Sequence, residues 1–176
     1  MKFILRPLER DDLPFVHALS NERQTMAFWF EEPYQSLDEL ISLYDRHIHK
    51  DNERRFVIDA DGKFVGIIEI IEINYIHRTA ELQIIVKQDF RGQGLAKTAM
   101  LKALDYAFNV LNMHKIYVYI ETKNTVSLRI CESLGFVHEG ILRQQFFAEG
   151  MYRDSFFMGI FKEEIKIPLK ELKESK

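Results

Sequence analysis

The run Asp89-Phe90-Arg91-Gly92-Gln93-Gly94-Leu95-Ala96 carries residue types suited to holding an anion. It follows a stretch that reads as a strand and opens one that reads as a helix. Glycines at such a junction let backbone N–H groups converge on a phosphate, and a helix N-terminus adds partial positive charge. Taken alone, Gly92 and Gly94 serve equally well as a tight strand-to-helix turn. The mononucleotide pattern ending in Gly-Lys-Ser/Thr is absent, as is the dinucleotide pattern of three spaced glycines, which disfavours ATP, GTP and NAD.

A second set of residues suits cations. Between Met26 and Glu39 the chain gathers Met26, Phe28, Trp29, Phe30, Glu31, Glu32, Tyr34, Asp38 and Glu39. Carboxylates mixed with aromatic and thioether surface match a ligand with several ammonium groups on an apolar spine. Glu69, Glu72 and Glu81 form a further acidic series, although any single Glu is most often solvated surface. Glu72 stands apart, because it lies in the apolar run from Val65 to Ile76, where a carboxylate is expected to be buried or functional. The spacing of His47 and His49 alone gives no metal site, and although Glu31 with Glu72 could hold a hard cation, no metal is expected.

These residues need elements to position them. Phe3 to Arg6 reads as a strand, and Asp11-Asp12 with Pro14 opens an amphipathic helix. Ser36 is an N-cap for a second helix, with Asp38 and Glu39 in its first turn. Leu37, Leu40, Ile41, Tyr44 and Ile48 repeat at helical spacing and should face the core, leaving Glu39, Arg46 and His47 nearer solvent or a partner. Arg54 to Asp59 and Phe64 to Ile73 read as strands joined at Asp61-Gly62, a strong hairpin signal. Thr79 to Lys87 is another strand, Leu95 to Leu111 a long helix, Lys115 to Glu121 a strand, and Val126 to Ser133 a short helix closed by Leu134-Gly135. Gly140 and Gly150 punctuate two further aromatic-rich strands. A meander followed by alternating helices and strands predicts an α/β fold with a mixed, mostly antiparallel sheet flanked by helices.

Composition narrows the class. A chain of 176 residues suits one domain, expected over residues 1–162, with a charged tail over 163–176. Lys+Arg 24 against Asp+Glu 27 gives a net charge of -3, too balanced for the basic surface that nucleic acid requires. One cysteine, Cys131, forms no intramolecular bridge and fits a reducing cytoplasm. The N-terminus lacks a signal-peptide core, and no apolar stretch approaches the ~20 residues of a membrane span.

Arg91-Gly92-Gln93-Gly94-Leu95-Ala96 resembles the pyrophosphate-binding Arg/Gln-x-x-Gly-x-Gly/Ala loop of the GNAT acetyltransferases. Asn124, Ser127, Leu128, Cys131-Glu132 and Leu134-Gly135-Phe136 resemble that family's second half, where an Asn opens a helix ending in Gly-Phe. Phe30-Glu31-Glu32-Pro33-Tyr34, His47-Ile48-His49, Glu53-Arg54-Arg55-Phe56, Glu72 through Arg78, Leu104-Asp105-Tyr106 and Leu111 through Tyr117 resemble the bacterial spermidine N-acetyltransferases. The resemblance implies the GNAT fold and direct acetyl transfer from acetyl-CoA to a primary amine of spermidine or spermine, through a tetrahedral intermediate. It places the pantetheine arm and thioester along Ile84, Ile85 and Val86. The pyrophosphate would sit on Arg91, Gly92, Gln93, Gly94, Leu95, Ala96 and Lys97, with Asn124 also toward the cofactor. Met26, Glu31, Glu39, His47 and Glu72 would bind polyamine, partly at a regulatory site between subunits of a dodecamer.

The chemistry requires that the amine lose a proton, that the oxyanion be stabilised and that the departing thiolate be protonated. A water chain ending at Glu72 or Glu81 is the expected base. The family's usual Tyr acid is replaced here by Cys131, so Cys131 is the expected acid, with Tyr106 and Tyr75 as substitutes. The alternatives are an acetyltransferase for protein N-termini or an antibiotic amine, and a polyamine-sensing module that has lost catalysis with the Tyr.

Overall fold

The computed structural model describes residues 3–22 and 35–167. Met26 and Glu31 lie outside the described residues. The described residues form seven strands and four helices. The strands are β1 Ile4–Pro7, β2 Arg54–Ala60, β3 Lys63–Asn74, β4 Thr79–Val86, β5 Lys115–Glu121, β6 Val137–Ala148 and β7 Met151–Phe161. The helices are α1 Leu13–Ser20, α2 Leu37–His47, α3 Leu95–Asn109 and α4 Thr125–Leu134. One sheet runs β1-β2-β3-β4-β5-β7-β6. Only the β4–β5 pair among these is parallel, so the expected mixed, mostly antiparallel α/β architecture is the one observed.

Local chemistry accounts for most boundaries. At the β2–β3 hairpin Asp61 and Gly62 both take positive φ, 53° and 78°, the two-residue turn whose twist suits antiparallel strands. Ser36 and Glu39 form a reciprocal capping box at α2, each side chain bonding the other's backbone N–H. Ile48, assigned to the core by helical spacing, is instead 55% exposed: α2 ends at His47 and the chain turns away there. In α3, Ala99, Ala103 and Ala107 are buried beside Leu101, Leu104 and Phe108, and the small side chains let the helix sit close to the sheet. The helix stops at Asn109, two residues before Leu111, and Asn112 takes a positive φ of 55° in the turn that follows.

The β2–β4 part of the sheet is covered on both faces. Strand residues such as Ile58, Val65, Ile68, Ile70, Leu82 and Val118 pack with α3 and α4, whereas Val57, Phe64, Ile67 and Ile85 pack with α1 and α2. Gly135 ends α4 at φ 115°, and a Cβ there would lie 2.1 Å from the Glu164 carbonyl oxygen. That close approach lets Lys166 N–H donate to the Leu134 carbonyl at 3.0 Å, with Ile165 and Ile167 against the core.

A buried ion pair ties β5 to β7. Glu121 is 1% exposed, and Arg153 Nη1 lies 3.5 Å from one of its oxygens while Arg153 Nη2 reaches Glu149 at 2.5 Å. Removing one member of such a pair strands a buried charge. Arg153→Ala is therefore expected to lower stability by about 3 kcal/mol in urea unfolding, with the added Glu121→Gln change recovering part of the loss. A double variant as unstable as the single would contradict this account.

Candidate active site

The β4–β5 ladder is short. It pairs Thr79 with Lys115, Ala80 with Ile116 and Glu81 with Tyr117, and then ends, while β4 continues to Val86 beside β3 and β5 continues to Glu121 beside β7. The two halves of the sheet therefore part beyond Glu81 and Tyr117. A strand that leaves its partner presents unpaired backbone N–H and C=O groups along the open edge. Ile84, Ile85 and Val86 lie on that edge, where an amide-bearing chain can add to β4.

The glycine loop sits at the end of the same edge. β4 leads through a short turn at Gln88–Phe90 into Arg91 to Gly94 and then α3. Gly92 and Gly94 both have φ of 75°, and a Cβ at either would meet nothing within 4 Å, so backbone conformation rather than space requires glycine here. Gly94 is the N-cap of α3 and brings no side-chain cap, and the first turn holds no acidic residue. The first-turn N–H groups, beside Lys97, thus keep their partial positive charge for an anion. Arg91 Nε donates to the Val86 carbonyl at 2.9 Å and Gln93 Nε2 to the Asp89 carbonyl at 3.3 Å, which holds the loop on the end of β4.

Two residues from α4 were expected at the site. Asn124 is its N-cap, with its side-chain oxygen accepting from Ser127 N–H at 3.1 Å, which leaves its amide nitrogen as the remaining polar group. Cys131 is 3% exposed among core residues, and burial foremost, then Glu132, pushes its thiol up to about 12. It therefore stays protonated at neutral pH.

The opposite face of the opening carries carboxylates and phenols. Glu81, only 8% exposed, accepts from Gln83 Nε2 at 2.7 Å at the point where the strands part. Burial foremost pushes the Tyr117 phenol up to about 12, with Glu81, Tyr119 and Glu72 adding to the shift. The Tyr119 phenol is raised in the same way, by burial and then by Glu81 and Glu72. Both carboxylates therefore act electrostatically on both phenols. Glu72 is exposed rather than buried, and the reason is local: a bulge between Ile71 and Asn74 turns it out of the β3 ladder at φ 51°.

The remaining expected residues lie on or beside α2. Glu39 is exposed, and its carboxyl is lowered by its bond to Ser36 N–H. His47 Nδ1 lies 3.1 Å from Glu53 Oε2 and 3.2 Å from Arg55 Nη2. Burial lowers the His47 pKa from its ordinary value, so the ring is neutral at pH 7. The two tyrosines named as substitute acids are committed elsewhere. Tyr75 Oη donates to the Asp51 carbonyl at 2.9 Å, and Tyr106 packs edge-on to Phe56 of β2, with centroids 5.2 Å apart and β3 between that strand and β4. Tyr117 and Tyr119 were missed; their two-residue spacing on a strand was the signal that both face one side.

Comparison with known proteins agrees with this geometry. A family model described as an acetyltransferase (GNAT) domain matches residues 2–137. The chain is 52% identical over 151 residues to spermidine N(1)-acetyltransferase of Vibrio cholerae, covering 85% of this chain and 87% of the relative. It is 48% identical over 157 residues to spermidine N(1)-acetyltransferase of Escherichia coli K12, covering 89% of this chain and 84% of that one. A crystal structure of the Vibrio cholerae spermidine N-acetyltransferase in complex with CoA and spermine superposes with a TM-score of 0.89 at 48% identity, over 92% of this chain and 96% of the other. A dodecameric structure of spermidine N-acetyltransferase from the same organism superposes with a TM-score of 0.83 at 49% identity, over 92% and 94% of the two chains. The chain belongs to the GNAT acetyltransferases and, among them, to the bacterial spermidine N-acetyltransferases.

Proposed function

We propose that this chain transfers the acetyl group of acetyl-CoA directly to a primary amine of spermidine or spermine. The parting of β4 from β5 carries this reading, because it brings an anion-holding loop and an acidic, aromatic surface to one opening. Backbone groups of Ile84, Ile85 and Val86 hold the pantetheine arm and polarise the thioester carbonyl. Arg91 through Lys97 hold the pyrophosphate, and the Asn124 amide nitrogen donates toward the cofactor. The ammonium group gives a proton, through water, to Glu81 or Glu72, and the freed amine nitrogen bonds to the carbonyl carbon. The tetrahedral intermediate then loses the C–S bond, the thiolate takes a proton donated by Cys131, and the surplus proton on the new amide nitrogen passes back to Cys131.

On the acceptor side, Glu72 and Glu39 supply negative charge, and Met26 and Glu31, outside the described residues, take part in binding polyamine as the family resemblance implies. A neutral His47 beside Glu53 does not repel an incoming ammonium group. Part of this acidic set serves a regulatory polyamine site between subunits. The chain assembles as a homo-oligomer, a dodecamer like the Vibrio relative, and the exposed Phe147, Tyr152 and Ile141 of the β6–β7 hairpin supply apolar surface for such contacts. No helix among the described residues is long and apolar enough to cross a membrane. A free Cys131 and the need for acetyl-CoA support a cytoplasmic location.

The test is thiol release from acetyl-CoA with spermidine, spermine, putrescine and an N-terminal peptide compared side by side. Saturable turnover is expected with spermidine and spermine and not with the peptide. Turnover of the peptide alone would replace this reading with a protein N-terminal acetyltransferase, and tight polyamine binding without thiol release would make the protein a sensor.

A further inference from the structure

Four aromatic rings line the acceptor side of the opening across β5, β6 and β7. Tyr119 packs edge-on to Tyr117 with centroids 5.7 Å apart, against Phe157 at 5.3 Å and edge-on to Phe146 at 6.2 Å. Tyr117 also meets Phe157 at 5.3 Å. Tyr119 lies two residues past the last β4–β5 pair, so the β4 side of its strand is open there, and its side chain is half-buried.

The charges around this cluster are selective. Glu81 and Glu72 act on both phenols, and among the described residues no lysine or arginine lies over the Tyr117 or Tyr119 ring. Phe157 differs: Lys115 Nζ sits 5.5 Å from its centroid and is paired with Glu139 at 2.5 Å. A half-buried ring on the strand whose Tyr117 pairs with Glu81, with no cation of its own, is suited to an alkylammonium group, whose charge is attracted by both the π face and the carboxylate.

We infer that Tyr119 is a specificity-determining residue: its ring is the wall along which the acceptor's carbon spine and a non-reacting ammonium group lie, on the strand that pairs with Glu81. The inference rests on the polyamine reading and adds to it the residue that distinguishes a polyamine from a simple amine. A monoamine brings no second ammonium group to this wall and so gains less from it. Tyr119 is thus a binding residue, separate from proton transfer, and its effect falls on KM for the polyamine.

The experiment measures acetyl transfer to spermidine and to butylamine by Tyr119→Phe and Tyr119→Leu, beside the unaltered enzyme. Tyr119→Phe keeps the ring and is expected to hold the spermidine KM within about twofold, whereas Tyr119→Leu raises it roughly tenfold. KM for acetyl-CoA is expected to stay unchanged in both, and kcat/KM for butylamine to fall less than that for spermidine. A series of fluorinated phenylalanines at position 119 keeps the ring's size while draining charge from its face, so it applies even where the leucine variant folds poorly; the spermidine KM should climb stepwise with fluorine number. A flat series, a leucine variant with unchanged spermidine KM, or equal losses for spermidine and butylamine would each overturn the inference. An unaltered enzyme that turns over no polyamine would overturn the underlying function and this role with it.

Discussion

Replacing Glu81 by Gln is expected to cut kcat for spermidine on the order of a hundredfold or more while leaving KM for acetyl-CoA unchanged. The carboxylate is buried at the apex of the β4–β5 opening, where the reacting carbon must lie if the pantetheine arm follows β4. Deprotonation is the demanding step, because carboxylates that attract an ammonium group also hold its proton more firmly. A buried carboxylate reached through water can take that proton, whereas an exposed one chiefly recruits the cation. Glu72→Gln, on its exposed bulge, should accordingly raise KM for spermidine more than it lowers kcat. Gln matches Glu in size, so Gln83 keeps a partner and the β4 packing survives.

The pH–rate profile separates these roles. A base works unprotonated, so activity falls as pH drops through its pKa, and that acid limb should disappear in Glu81→Gln. If both Gln variants retain the unaltered profile, neither carboxylate ends the proton path and the base lies elsewhere.

Cys131→Ala is expected to lower kcat by about tenfold to a hundredfold, with KM for acetyl-CoA nearly unchanged. Burial pushes this thiol up to about 12, so its proton is present at every pH at which the enzyme works. The same shift makes it a weak acid toward a thiolate of ordinary pKa near ~8.5, and the expected loss lies at the lower end of acid catalysis. The sign for pH follows: a donor titrating at about 12 is lost only as pH rises toward that value, so it produces no alkaline limb at lower pH. An alkaline limb near pH ~8.5 that vanishes in Cys131→Ala would show an accessible, ordinary thiol instead. Full activity in the alanine variant would remove Cys131 from the mechanism. Cys131→Tyr restores the family's usual acid only if the ring turns into the opening, because a ring forced into this 3% exposed position costs about 1–3 kcal/mol of overpacking.

Local signals in the sequence carried over well to the structure. Asp61-Gly62 placed a hairpin, Ser36 with Glu39 placed a helix start, and Leu134-Gly135 closed α4 where expected. Each depends on residues within a few positions of one another. The opening between β4 and β5 does not, because where a parallel ladder ends is set by how α3, β3 and β7 hold the two strands. Glu72 shows the same limit: an apolar run predicted burial, and a bulge that depends on pairing with β4 turned the side chain outward. Tyr119 was hidden for a related reason. Its spacing from Tyr117 gave a shared face, but which face met Glu81 and Phe157 depended on strand order across the sheet.

Mass spectrometry of spermidine incubated with acetyl-CoA and the purified protein tests the central claim most directly. The account predicts one acetyl group added to spermidine at a primary nitrogen, with an equal amount of free CoA and no addition when the protein is omitted. Unmodified spermidine, or CoA release matched by free acetate rather than acetylated amine, would contradict it.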